Sequence, residues 1–140
     1  MERRLALPFF DGVKQVFDTE RFFCAVIEQN ADALRTFFHQ DAWVEWLCTS
    51  EHFTVEEYIR ANCEYPGAWR GAVEKCVWTQ EGCVLAAKVW PKDESNSFHV
   101  VSFVRIADGK IASMEEYWSD DGPAPEWRRQ MNIGCPIKNE

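Results

Sequence analysis

Apolar residues recur at helical spacing in the first part of the chain, and polar residues that can cap helices precede them. After Asp18 and Thr19, either of which can cap a helix, the apolar positions form one stripe at the spacing of an α-helix. Asn30 precedes a second, shorter stripe. Thr54, with a glutamate three residues later, forms a capping box and predicts a third helix over residues 55 to about 63.

Strand-like patterns occur once among these helices and then dominate the second half of the chain. Residues 41–47 predict a short strand, and residues 48–53 a loop. Residues 69–118 are typical of strands and are broken by turn residues at 80–82, at 91–97 and at Asp108-Gly109. Helices followed by four strands in hairpin succession favour the α+β class over an alternating α/β fold.

The regular pattern has limits at both ends. Residues 1–17 are predicted to be an N-terminal extension, residues 18–120 one α+β domain, and residues 121–140 an irregular tail, because Gly122-Pro123 and Pro125 interrupt any long element. A chain of 140 residues is long enough for one domain with a sizeable core.

The charge of the chain narrows the range of partners. The sequence carries 23 acidic and 15 basic residues, a net charge of -8, and the acidic residues are spread along the chain. Such a surface repels phosphate backbones, so no nucleic-acid partner is expected. The sequence contains neither a signal-peptide pattern nor an apolar stretch of membrane-spanning length, so we expect a cytoplasmic protein without a membrane partner.

The cysteines and histidines do not follow a metal-binding or disulfide pattern. The six cysteines are widely and irregularly spaced and include no C-x-x-C pair, so we expect unlinked and mostly buried thiols. His39, His52 and His99 lie far apart, which indicates no metal site.

Two segments resemble the SnoaL-like and ketosteroid-isomerase-like members of the nuclear transport factor 2-like superfamily. Residues 30–46, NADALRTFFHQDAWVEW, are similar to the second helix and first strand of those proteins. Residues 108–120, DGKIASMEEYWSD, are similar to their last hairpin. The resemblance implies three N-terminal helices packed on a curved, mostly antiparallel sheet that forms a cone around an internal pocket. It also implies chemistry without a cofactor and a homodimer formed through the outer sheet face.

The last hairpin predicts which side chains face that pocket. If Asp108-Gly109 is a two-residue turn, Arg105 lies opposite Ala112, Val101 opposite Glu116 and His99 opposite Trp118. Both faces are largely apolar, so the pattern alone leaves the inner face open. In the limonene-epoxide-hydrolase-like members the acidic residue before the aromatic pair points inward, which implies the face of Glu116. The predicted inner residues are His99, Val101, Phe103, Met114, Glu116 and Trp118, with Glu115 and Tyr117 outside.

A carboxyl group in an aromatic cavity would have a raised pKa and could act as a general acid or base. We therefore predict Glu116 as the catalytic group and His99 as its proton partner. The alternatives are a Glu116 paired with Arg105, a packed histidine and aromatic residues that are simply core. The further candidates for ligand contact are Trp46, Phe53, Tyr58, Trp69, Trp78, Trp90, Val101, Phe103, Met114 and Trp118.

Two departures from known members limit the choice of reaction. Steroid isomerases of this fold carry the general base in a Val-Glu-Asp segment, whereas this chain has Val44-Glu45-Trp46. Epoxide hydrolases need an Arg-x-Asp where this chain has Ala86-Ala87-Lys88. Three hypotheses remain: a cofactor-free isomerase, cyclase or lyase acting on a small hydrophobic molecule, a protein that binds such a molecule without turnover, and a dimeric interaction module.

Overall fold

Residues 17–138 are described in the computed structural model, and they form four mostly short helices and a sheet of six strands. In chain order the elements are α1 (Thr19–Glu28), α2 (Ala31–Arg35), β1 (Phe38–Trp46), β2 (Glu51–Thr54), α3 (Val55–Cys63), β3 (Trp69–Trp78), β4 (Gly82–Pro91), β5 (Phe98–Ala107), β6 (Lys110–Asp120) and α4 (Glu126–Arg129). Within this part of the chain, no helix is long and apolar enough to span a bilayer. All of the predicted extension except Phe17 lies outside the described residues.

The predicted caps of the first three helices are confirmed. The Asp18 side chain accepts a hydrogen bond from the amide of Arg21, and Asn30 does the same for α2. Thr54 and Glu57 form the reciprocal capping box at the start of α3. The expected number of helices is not confirmed, because Pro125 starts one further exposed turn, α4, in the segment predicted to be an irregular tail.

The strand order is β2-β1-β6-β5-β4-β3. Strands β1 and β6 are parallel, whereas every other neighbouring pair is antiparallel. Strand β2 was predicted as a loop. Its only apolar residue, Phe53, lies opposite Val44, so its sequence has no alternating pattern, and the strand forms by pairing with β1.

The core lies between the helices and the inner face of the curved sheet. Helix α1 packs against β3, and α3 packs against β1 and β2. Gly71 on β3 permits the first of these contacts, because a Cβ atom there would lie 2.8 Å from Cδ1 of Ile27 on α1. The side chains of Leu34, Val44, Ile111 and Met114 are fully buried between the layers.

The hairpin of β5 and β6 contains a β-bulge that corrects the predicted register. Next to the turn, Ile106 pairs with Ile111, but Arg105 then pairs with Ser113, so Ala112 is an extra residue on β6. The predicted pairing of Arg105 with Ala112 is therefore wrong, and the same shift applies to every later pair. As a result, the buried inner residues of β5 are Val100, Ser102 and Val104.

Most of the cysteines lie nearer the surface than predicted. Only Cys83 is buried and Cys63 is half-buried, whereas Cys24, Cys48, Cys76 and Cys135 are exposed.

Candidate functional site

A cavity of about 370 Å³ opens between the ends of α1 and α3 and the ends of five strands. Its wall carries five aromatic side chains: Trp46, Tyr65, Trp69, Phe98 and Trp118. The other lining residues are mainly small or apolar, and the polar ones are Gln29, Thr49, Asn62 and Asp120. A concave, largely apolar space with a few polar groups is the usual form of a small-molecule site.

The carboxyl group of Glu116 is buried behind this wall, with 5% of the residue exposed. Its Oε1 accepts hydrogen bonds from the indole N–H groups of Trp46, at 3.0 Å, and Trp118, at 3.3 Å. Its Oε2 lies 2.6 Å from the Ser102 hydroxyl. Burial raises the pKa of Glu116, and the three hydrogen bonds oppose that rise because they favour the charged form.

Strand register explains how these groups meet. Glu116 lies on β6 between β1 and β5, and the register places Trp46 opposite it on one side and Ser102 on the other. Trp118 follows two residues later on the same strand and therefore on the same face. Three neighbouring strands thus surround one carboxyl group with donors.

The donor types restrict where a proton can reside. An indole N–H only donates, so Oε1 accepts from both tryptophans in either charge state of Glu116. A hydroxyl can donate or accept, so a proton on Oε2 is compatible with the contact to Ser102. The pair formed by Ser102 and Oε2 can therefore hold Glu116 either ionised or neutral.

Tyr58 is a further buried titratable group near Glu116. Burial raises the pKa of the Tyr58 phenol well above its usual value, and the negative charge of Glu116 adds to the rise. Tyr58 therefore stays neutral, and its ring packs against those of Phe38 and Trp46.

His99 lies on the outer face of the sheet, so its predicted place beside Glu116 is wrong. Its Nδ1 lies 2.5 Å from Oδ1 of Asp121, and its Nε2 lies 3.4 Å from Oε1 of Glu74. The hydrogen bond with Asp121 is the main reason why the pKa of His99 is raised. The bulge at Ala112 explains the error, because it moves the odd-numbered residues of β5 to the outside.

The aromatic and apolar residues that were predicted to contact a ligand lie in three environments: the cavity wall, the core and the outer face of the sheet. Trp46, Trp69 and Trp118 line the cavity. Tyr58 and Met114 are buried in the core, Phe53 packs on Trp46 with ring centroids 4.8 Å apart, and Trp78 packs against the core.

Val101, Phe103 and Trp90 lie on the outer face, so their predicted place in the cavity is wrong. Val101 and Phe103 follow the corrected register of β5. Trp90 follows Val89, which faces the cavity, and strand alternation turns it outward.

The ends of two helices supply lining residues that the sequence did not reveal. Gln29 donates from its side-chain amide to the backbone carbonyls of Asn62 and Tyr65, each at 2.8 Å. Asn62 in turn donates to the carbonyl of Val26 at 3.0 Å. These bonds fasten α1 to α3 beside the cavity. Helix α1 ends with the cap residue Gln29, whose backbone has a positive φ. Glycine is the residue that usually marks such a helix end in a sequence, so a glutamine there gave no signal.

Ser102 was also missed. A single serine inside an apolar strand gives a signal only when the register places it opposite a buried carboxyl. Across residues 17–138, no group of three or more His, Cys, Asp or Glu side chains has a geometry suited to a metal ion.

No family model and no curated protein sequence matches the chain. Solved structures match most of its length. A candidate ketosteroid isomerase from Kribbella flavida DSM 17836 aligns with a TM-score of 0.73 and 18% identity over 91% of this chain and 93% of that one. A protein of unknown function from Burkholderia xenovorans LB400, described as NTF-2 like, aligns with a TM-score of 0.69 and 16% identity over 90% and 97%. The chain has the nuclear transport factor 2-like fold.

A third structure with the nuclear transport factor 2-like fold contains a small ligand. It is a hypothetical protein from Catenulispora acidiphila DSM 44928, of ketosteroid isomerase-like fold and in complex with trimethylamine. It aligns with a TM-score of 0.59 and 14% identity over 71% of this chain and 82% of that one. One fold of this kind carries many activities, because the function depends on the side chains of the site and not on the fold.

Proposed function

We propose that the chain binds a small, largely apolar molecule in the cone cavity, and that Glu116 moves a proton on that molecule in a cofactor-free isomerase, cyclase or lyase reaction. The observation that supports this most is the position of the Glu116 carboxyl, which is buried and accepts hydrogen bonds from two indoles that line the cavity, those of Trp46 and Trp118. His99 has no part in this proposal, because its ring is on the other face of the sheet.

The size and lining of the cavity support the binding part of the proposal. A volume of about 370 Å³ lies within the range of small-molecule sites, and most of the lining is apolar. The complex of the Catenulispora acidiphila protein with trimethylamine also supports a small ligand for a protein of similar fold.

The environment of Glu116 supports the proton-transfer part. A buried carboxyl with a raised pKa is partly protonated closer to neutral pH, where a general acid or base is most effective. In the proposed cycle the Trp118 indole, whose hydrogen bond to Oε1 is the longer of the two at 3.3 Å, turns aside to admit the ligand. The Glu116 carboxyl then takes a proton from the ligand and returns it to another atom of the same ligand. The proton balance closes without an oxidant or a reductant.

Deuterium exchange tests this function even when the product of the reaction has not been identified. Native mass spectrometry would identify a small molecule that copurifies with the chain, and incubation in D₂O should then label it at a carbon atom. The variant Glu116→Gln keeps both indole contacts on its amide oxygen and should slow labelling by at least about 100-fold while the ligand stays bound. Unchanged labelling in the variant would rule out Glu116 as the proton carrier.

A second candidate is a protein that holds the ligand without changing it. The observation that favours it is that both Glu116 oxygens already have hydrogen-bond partners within the protein, at Trp46, Trp118 and Ser102. Under this function the wild-type chain returns the ligand intact and unlabelled from D₂O.

We also propose that a second copy of the chain covers the outer sheet face. Phe103 and Tyr117 contact each other there, with ring centroids 6.1 Å apart, and are 47% and 46% exposed. Together with the exposed Val77 they form an apolar surface of the kind that pairs subunits. Light scattering should give a dimer for the wild type and a monomer for Tyr117→Glu; a monomeric wild type would contradict the pairing.

A further inference from the structure

We infer that the cone cavity selects a hydrophobic cation, a tertiary or quaternary ammonium group, over an uncharged molecule of the same shape. This inference rests on the proposed binding function and names the chemical class of the ligand.

The first observation is the arrangement of aromatic rings across the cavity. The ends of β1, β6, β5 and β3 bring in Trp46, Trp118, Phe98 and Trp69. Their rings form two contacting groups: Trp46 with Trp118, at 6.4 Å between centroids, and Trp69 with Phe98, at 5.8 Å. Several aromatic faces around one space are the arrangement that binds quaternary ammonium groups through cation–π attraction.

The second observation is the sign of the charges. Among the described residues that line the cavity, none is basic, and Asp120 is acidic. Asp120 lies opposite Phe98 on the face that also carries Glu116, whose carboxyl is buried behind the wall. The field in the cavity therefore favours a positive ligand and opposes an anion.

The third observation is the orientation of two of the rings. Trp46 and Trp118 both direct their N–H groups at Oε1 of Glu116. A donor in a hydrogen bond to a carboxyl oxygen is polarised, which makes the face of its ring more negative. The same bonds fix the positions of both indoles, so a cation meets rings that are already in place.

The mainly apolar lining narrows the type of cation, because its acceptor side chains are only those of Gln29, Thr49, Asn62 and Asp120. A primary ammonium group is strongly hydrated and needs acceptors to replace its water. The backbone carbonyls of Asn62 and Tyr65 each already accept one hydrogen bond from the Gln29 amide nitrogen, which leaves each a single further lone pair. A nitrogen covered by alkyl groups needs few acceptors and gains most from aromatic contact.

Calorimetric titration of two compounds of one shape tests this inference on the intact chain. The first is 3-hydroxyphenyltrimethylammonium, and the second is 3-tert-butylphenol, in which carbon replaces the charged nitrogen. We expect the cation to bind at least about tenfold more tightly. Equal or tighter binding of the phenol would overturn the cation preference and leave the apolar site standing. Failure of both to bind would overturn the preference and the binding function together.

Two variants, each replacing an aspartate with asparagine, test whether a carboxylate at the cavity is the charge that attracts the cation. Asp120→Asn should weaken binding of the cation by about two- to fivefold, because an exposed carboxylate is partly screened, and should leave the phenol unchanged. Asp108→Asn removes the same charge at the far end of β6, in a turn where the positive φ suits asparagine, and should have no effect. Equal losses of affinity for the cation in the two variants would overturn the inference. The effect would then come from the net charge of the chain and not from a carboxylate at the cavity.

An aromatic variant tests the rings separately from the charge. Trp69→Leu keeps the lining apolar and removes one aromatic face. The preference for the cation should fall by about threefold or more. A preference that does not change would contradict the role of the rings.

Discussion

Glu116 and His99 lie on adjacent strands of one sheet, both have a raised pKa, and the causes are opposite. Burial raises the pKa of Glu116 by disfavouring its charged form, whereas a hydrogen bond with Asp121 raises the pKa of His99 by favouring its charged form. Glu116 is surrounded by donors on the inner face, and His99 is half-exposed between two carboxylates on the outer face. The face of the sheet therefore decides what kind of chemistry each group can do.

The largest expected effect separates the two faces by their packing. Met114→Ala removes a fully buried side chain next to Glu116 on the inner side and should lower the free energy of unfolding by about 2–5 kcal/mol. Phe103→Ala, on the half-exposed outer side, should cost less than about 1 kcal/mol in a monomeric sample. Urea denaturation measures both, and similar losses would contradict the assignment of faces.

The next effect concerns the donors of the inner face. Trp46→Phe removes one hydrogen bond to the buried carboxyl and should lower the free energy of unfolding by about 1–3 kcal/mol at neutral pH. Trp43→Phe is the matched control, because Trp43 lies three residues earlier on β1, faces outward and stacks on His52. If the control destabilises the chain as much as Trp46→Phe, the bond to Glu116 is not the cause.

The pH dependence of stability distinguishes the two groups by sign. The pKa of Glu116 is raised above its ordinary value of 4.5, so between these two values the folded chain holds more protons than the unfolded chain. Its contribution to stability is full below pH 4.5 and is lost as the pH rises through the folded pKa, by at most about 1.4 kcal/mol per pH unit. Thermal unfolding of Glu116→Gln should lack this component, and identical pH curves for variant and wild type would contradict it.

The smallest effect belongs to the outer face. The raised pKa of His99 makes its contribution to stability full below the ordinary value of 6.5, and this contribution is lost as the pH rises through the folded pKa. Exposure screens these ion pairs, so His99→Gln should cost less than about 1 kcal/mol below pH 6.5 and nothing at high pH. Circular dichroism melts across this range provide the measurement, and a loss that persists at high pH would point to packing instead.

Local signals in the sequence predicted the local parts of the fold. The caps at Asp18, Asn30 and Thr54 act within a few residues, so each helix start could be located from its own segment. Strand β2 has no such signal because it depends on β1 for its pairing. The α+β class and the four later strands followed from alternation and turn residues.

The candidate site was only partly predictable for the same reason. The acidic residue before the aromatic pair indicated Glu116, and the structure places its carboxyl behind the cavity wall. Its donors come from three strands, so Ser102 could be recognised only with the correct register. His99, Val101 and Phe103 were assigned to the inner face because an ideal two-residue hairpin has no extra residue, whereas this one has Ala112.

The bulge at Ala112 has a consequence for comparing this chain with related sequences. Which residue of β5 meets Glu116 depends on the number of residues between the turn and Glu116, and the identity of Ala112 itself has little influence. A relative with one residue fewer in this stretch would place a different residue beside its acidic group, even if every aligned side chain were identical. The position of a single gap in an alignment would therefore decide whether the serine that faces Glu116 has an equivalent.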